Sequence, residues 1–149
     1  MNEQNEFQRW HEIATKQKYN VLDTQLGGYE THPHILYREL LPKFIKRYGS
    51  KKGRDMALVL GYLHASKVGD AEKANLPPEL EGWVIQRNKT IADTLGMKEQ
   101  TFNEIRSALI REGLLVVKKR PFNGNEKLYY LPLYYPNPSA KQASNIDVD

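Results

Sequence analysis

Two short stretches of this sequence gather side chains suited to holding a polyanion. One carries Lys98, Gln100, Thr101, Asn103, Glu104, Arg106 and Ser107, and in the other Lys118, Lys119, Arg120 and Lys127 flank a polar tip containing Asn123 and Asn125. Clustered lysines and arginines neutralise phosphates and release their condensed counterions, so this pattern points toward nucleic acid. A basic face that is simply solvated is the alternative. The charge is unevenly spread: residues 36–67 carry a net +6 and residues 86–127 a net +4, separated by a net −3 over residues 68–85. The first 35 residues are net −2 and the last 22 net −1, which leaves +4 for the chain.

Other chemistries find little support. With no cysteine there is no disulfide, thiolate nucleophile or Cys-ligated metal. His32-Pro33-His34 has the spacing of a paired metal ligand, but proline between the histidines suits a turn better than the strand such a pair needs. No glycine-rich phosphate loop, Ser-His-Asp set or paired carboxylates stand out, so neither catalysis nor a cofactor or metal is expected. The polar, acidic start has no export signal, no apolar run approaches the roughly 20 residues of a membrane span, and mean hydropathy is −0.68. A cytoplasmic protein without membrane contact is expected. Its 149 residues, 40% hydrophobic, are enough for one domain with a buried core.

The elements that must position the two stretches follow from periodicity. Phe7, Trp10, Ile13 and Ala14 predict an amphipathic helix over 3–18. A second helix is expected to begin near Pro42 and stop at Gly49, because proline fits a first turn but not a helix interior. A core helix follows over 54–65 on Met56, Val59, Leu60 and Leu63, then a loop over 69–82 and a strand at 83–85. Asn88 is the expected cap of a short helix over 89–95 that Gly96 ends. A helix over 98–112 places Phe102, Ile105, Ala108 and Leu109 on one stripe, and Gly113 closes it. Strands at 114–118 and 127–133 enclose a tip at 121–126 centred on Asn123-Gly124. Tyr129, Tyr130, Tyr134 and Tyr135 read as strand residues packed partly on the core. Residues 136–149 have too little apolar surface to order and read as a mobile tail.

The run Asn-Lys-Thr-Ile-Ala-Asp-Thr-Leu-Gly-Met-Lys-Glu-Gln-Thr-Phe-Asn-Glu-Ile-Arg-Ser-Ala-Leu-Ile-Arg-Glu-Gly-Leu-Leu, residues 88–115, resembles the winged helix-turn-helix family. The resemblance implies an α+β, mostly helical fold with extra N-terminal helices, in which Ile-Ala-x-x-Leu-Gly is the supporting helix and the helix opening at Lys98 is the recognition helix. Gln100, Thr101, Asn103 and Glu104 would then meet base edges in the major groove, Lys98 and Arg106 would meet phosphates or guanine, and Ser107 would belong to the same DNA-binding set. Glu104 would either accept from cytosine or pair with Arg111 or Lys98. Lys118, Lys119, Arg120 and Lys127 would follow adjacent phosphates, with Asn123 and Asn125 at the wing tip. The longer pattern, with Leu-Leu-Pro-Lys-Phe-Ile at 40–45, is similar to N-terminal domains of plasmid and phage replication initiators and replisome organisers.

These readings divide the chain into an N-terminal helix and linker (1–35), a winged-helix domain (36–135) and a tail (136–149). The expected function is non-catalytic, sequence-specific binding of double-stranded DNA at a replication origin or regulatory site. A transcriptional repressor and a protein-interaction module are the alternatives. Homodimerisation through the helix at 3–18, and replication or partition proteins as partners, complete the expectation.

Overall fold

A computed structural model describes residues 3–22, 34–122 and 124–148, and the chain divides into two units, residues 1–31 and 32–149. The first unit contains α1 (Glu3–Leu22), which runs one turn further than its apolar spacing predicts. Phe7, Trp10 and Tyr19 on this helix are exposed. His32 and Pro33 lie outside the described residues, as does Asn123.

The second unit is α+β and mostly helical. Helix is present from residue 34, eight residues before Pro42, passes through a π turn at Leu36–Leu40 and continues as α2 (Leu41–Tyr48). The expectation of a start at Pro42 is therefore corrected. Proline removes one donor and its ring presses on the carbonyl four residues back. Here the Leu41 N–H reaches back five residues to the Leu36 carbonyl, so the helix is widened where the ring needs room.

After Gly49, α3 (Ser50–Ser66) folds back against α2. A Cβ at position 53 would lie 2.6 Å from the backbone nitrogen of Ile45, so the two helices can approach this closely only because residue 53 is glycine. Met56, Val59, Leu60 and Leu63 of α3 join Phe44, Ile91, Phe102, Ile105 and Leu109 in one core. The loop that follows is closed at its base, where the Val68 N–H donates to Trp83 O at 2.8 Å and the Gly82 N–H to Val68 O at 2.8 Å.

Three strands form an antiparallel sheet in the order β1 (Val84–Ile85), β3 (Asn125–Pro132), β2 (Leu115–Phe122). Two helices, α4 (Asn88–Thr94) and α5 (Glu99–Arg111), lie between β1 and β2 in sequence. Pairing continues to Phe122 opposite Asn125, so the tip is two residues long and not the expected six. Gly124 adopts φ +83°, the positive value that a tight hairpin turn requires and glycine supplies at no steric cost. Val117 and Tyr130 face each other on the core side, where the Tyr130 ring meets Phe102 edge-on at 6.2 Å. Tyr129 is buried on the opposite face, Tyr134 is half-buried and Tyr135 is exposed.

The expected mobile tail is ordered over the described residues to 148. Ser139 leads into a short helix, α6 (Ala140–Ala143), and the next residues line the free edge of β2. The Ser144 hydroxyl accepts from the Val117 N–H at 3.0 Å, and the Asn145 N–H donates to Val117 O at 3.1 Å. The Asn145 side chain accepts from the Lys119 N–H at 2.5 Å and donates to its carbonyl at 2.9 Å. Polar side chains that complete a sheet edge, together with the buried Ala140 and with Ile146 and Val148 packed against the core, thus order this segment. Composition alone counts only its missing apolar surface.

Two glycine substitutions test these constraints. Gly53→Ala should cost about 1–3 kcal/mol through overpacking against Ile45. Gly113→Ala should cost at least as much, because φ at 113 is +77° and a Cβ there would lie 2.6 Å from the Asn137 carbonyl oxygen. Urea unfolding monitored by circular dichroism measures both. A change within about 0.5 kcal/mol, the range of ordinary surface substitutions, would show that the helices and the turn can relax around a methyl group.

Candidate nucleic-acid interface

The helices α4 and α5 end alike. Gly96 and Gly113 adopt φ of +68° and +77°, and the following N–H reaches back five residues: Met97 to Ala92 O at 3.0 Å, and Leu114 to Leu109 O at 3.0 Å. Each glycine supplies the left-handed step that ends a helix with its last carbonyls satisfied. Lys98 is extended and precedes α5 directly, so the two helices are separated by a tight turn.

Asn88, expected as a cap, is instead the first residue of α4, and its side chain faces the sheet. The Tyr130 hydroxyl donates to Asn88 Oδ1, and Asn88 Nδ2 donates to Asn103 Oδ1 at 3.3 Å. One amide therefore joins α4, α5 and β3. Burial pushes the Tyr130 phenol up to about 12, opposed by the nearby Arg106 charge. At its far end α5 is tied to α2: Arg47 donates to both oxygens of Glu112, at 2.9 and 2.7 Å, and the Tyr48 hydroxyl donates to the same carboxylate at 2.9 Å. Burial, followed by the Glu112 carboxylate, raises the pKa of Tyr48.

The predicted site residues on α5 and at Lys98 before it differ in exposure. Lys98, Gln100 and Glu104 are exposed, and Thr101 and Asn103 are half-buried. Arg106 is half-buried with its Nε enclosed and without a hydrogen-bond partner. Ser107 is buried and leaves the candidate surface. The reason lies in the packing: α3, β2 and α6 all contact α5, and every residue from Ser107 to Ile110 is buried. The face that can meet a partner is the N-terminal half.

On the hairpin, Lys118, Lys119, Arg120, Asn125 and Lys127 are all exposed, but the register divides the cations. Arg120 stands opposite Lys127, and alternation places Lys118 on the same face, whereas Lys119 points to the helix side. Lys119 Nζ pairs with Glu126 at 3.2 Å, and the Arg120 guanidinium lies 5.5 Å from the centre of the Tyr129 ring. Beside the open edge of β3 is a groove of about 1050 Å³, lined by Arg87, Asn88, Lys89, Glu99, Asn125 and Lys127 among others. A smaller cleft of about 390 Å³ lies between Arg106, Lys119 and Asp147. Sequence reasoning missed Arg87 and Lys89, whose only signal was their place in the basic block 86–127. Among the described residues no cluster of histidines and carboxylates could hold a metal, and no helix is long and apolar enough to cross a membrane.

Comparison with protein-family models, curated proteins and solved structures found no match to this chain.

The Asn88 junction makes a pH-dependent prediction. A phenol whose pKa is raised on folding keeps its proton longer in the folded protein than in the unfolded one. The stability this contributes is complete below pH 10 and is lost as pH rises from about 10 toward about 12. Stability should therefore fall over that interval less steeply in Tyr130→Phe than in the wild type. Asn88→Ala should cost about 1–3 kcal/mol at neutral pH, because it strands a buried hydroxyl. Urea unfolding across this pH range decides. Equal slopes for the wild type and Tyr130→Phe would mean that the hydroxyl ionises as freely as one in water.

Proposed function

We propose that this chain is a winged-helix protein that binds double-stranded DNA without catalysing a reaction on it, marking a replication origin or regulatory site of plasmid or phage type. One observation carries the reading. Lys98 directly before α5 and Gln100 in its first turn are exposed and Thr101 and Asn103 half-buried, while Ser107 to Ile110 are locked in the core, and the next element is a hairpin with four exposed cations. A helix held this way fits the roughly 12 Å major groove, where hydrogen-bonding side chains distinguish base pairs. Lys118, Arg120 and Lys127 would then follow the neighbouring phosphates from one face of the hairpin. The resemblance of residues 88–115 to winged helices supports the same assignment.

Glu99 and Glu104, both exposed on α5, favour a second reading in which this surface holds a protein. On DNA, Glu104 must accept from a cytosine amino group or be repelled by phosphates.

Duplex binding should weaken steeply with salt, with a log–log slope of roughly −4 to −7 for four to eight phosphate contacts. Replacing Lys118, Lys119 and Arg120 together by alanine should flatten that slope and weaken all sequences about equally. Fluorescence anisotropy at several salt concentrations gives both quantities, and a wild-type slope near zero would move the assignment to a protein partner. Gln100→Ala and Thr101→Ala should each cost about 1–3 kcal/mol on a sequence selected from a random duplex pool and almost nothing on random DNA. Equal losses on both DNAs would remove these two side chains from base reading.

A further inference from the structure

A dense cluster of positive charge lies away from the N-terminal half of α5 and from the hairpin. Residues 43–54 contain six cations and no carboxylate. Gly49 reverses the chain between α2 and α3, and Gly53 lets the backbone of α3 press against Ile45 of α2. Lys43, Lys46 and Arg47 on α2 and Lys51, Lys52 and Arg54 on α3 are thereby gathered at one corner of the second unit. Five of the six are exposed, and Lys52 is half-buried.

Neighbouring groups quench only part of this charge. Arg47 is paired with Glu112 at 2.7 Å and Lys51 with Asp55 at 3.2 Å, and the Lys52 ammonium lies 5.3 Å from the centre of the Tyr48 ring. Lys43, Lys46 and Arg54 have no carboxylate within 4 Å among the described residues. Like charges gathered this closely repel one another, and a phosphate backbone removes that repulsion while releasing its own counterions.

The corner is distinct from the surface that meets DNA in the reading above. Arg47 is fixed to Glu112, just beyond the last turn of α5, whereas Gln100 is in the first turn; the two positions are about 18 Å apart along the helix axis. That exceeds both the Debye length of about 8 Å at physiological salt and the roughly 8.5 Å depth of the major groove. With the N-terminal end of α5 pointing into a groove, the corner stands outside that duplex.

We propose, resting on the reading that α5 and the hairpin bind DNA, that the corner between α2 and α3 binds the phosphate backbone of a second duplex segment, so that one chain bridges two. Residues 43–54 are rich in lysine and include no amide or carboxylate side chain, so this contact follows phosphates and not sequence. The chain would hold a chosen site on one duplex against any neighbouring stretch.

A capture assay with the full chain tests this. A short duplex of the sequence selected from a random pool is immobilised, and a labelled duplex of random sequence is retained only where the protein holds both. DNA stays stiff over roughly 150 base pairs, so a short duplex cannot curl from one surface to the other. The wild type should retain the labelled duplex. Replacing Lys43, Lys46 and Arg54 together by glutamine should lower retention about tenfold or more. The same change should alter the Kd for the selected duplex by less than about twofold, because charges this far from it are screened. All three side chains are exposed, so thermal melting should be unchanged, and Lys43→Glu with Lys46→Glu is the second variant should the triple one melt early. A wild type that binds the selected duplex but retains no second one would reject the corner as a DNA site and leave the first contact standing, whereas one that binds neither would reject both. Retention that survives both corner variants would overturn the proposal in favour of a dimer that uses two α5 surfaces. A loss of affinity for the selected duplex as large as the loss of retention would place the corner on that same duplex and overturn it as well.

Discussion

The left-handed turn at Gly113 is where α5, β2 and the C-terminal segment meet, and the placement of each depends on it. The N–H of Gly113 closes the end of α5 on Ile110 O at 2.9 Å, and its carbonyl accepts from the Asn137 N–H at 2.8 Å. The space a side chain would fill is taken by the backbone of Asn137. A residue with a Cβ would meet both a conformational penalty and a collision. One glycine therefore sets the angle at which the hairpin leaves the helix, and fixes where the chain returns to cover the edge of β2.

A second set of contacts makes the exposed half of α5 rigid. Asn88 links the start of α4 to Tyr130 on β3 and to Asn103 on α5, while Glu112 ties the other end of α5 to Arg47 and Tyr48 of α2. Side chains on such a helix reach a partner without first ordering the backbone beneath them, so less affinity is lost to entropy on binding. The arrangement also limits the helix: Asn103 shares its amide oxygen with Asn88, so on DNA it is less free to turn than Gln100.

The cations are less concentrated in space than in sequence. Lys119 is turned from the face shared by Lys118, Arg120 and Lys127 and is partly neutralised by Glu126, and Arg120 spends some of its surface on the Tyr129 ring. Exposed ion pairs contribute little to stability, so Glu126 acts mainly on local potential. Arg87 and Lys89 compensate from the opposite side of the groove beside β3. The proposed DNA contact is thus a field assembled from three separate chain segments.

Features encoded within one turn of chain were legible in the sequence. The stripe Phe102, Ile105, Ala108, Leu109 predicted α5 and its buried side, the glycines at 96 and 113 predicted both helix ends, and Asn123-Gly124 predicted the hairpin. Most of the charged and polar site residues were found exposed, because solvent exposure of one helix face follows from the burial of the other. What the tertiary structure decided were the contacts made by distant partners. Ser107 belongs to a polar stretch, yet α3, β2 and α6 enclose the helix there. Asn88 has the residue type and place of a cap, but a tyrosine hydroxyl 42 residues later takes its side chain. Arg47 and Glu112 are 65 residues apart, and the segment after Pro136 looked too polar to order until β2 offered it unpaired backbone groups. Periodicity reports which face of an element is apolar. It carries no record of which other part of the chain will supply a hydrogen bond or close a second face, and those pairings exist only once the whole chain has folded.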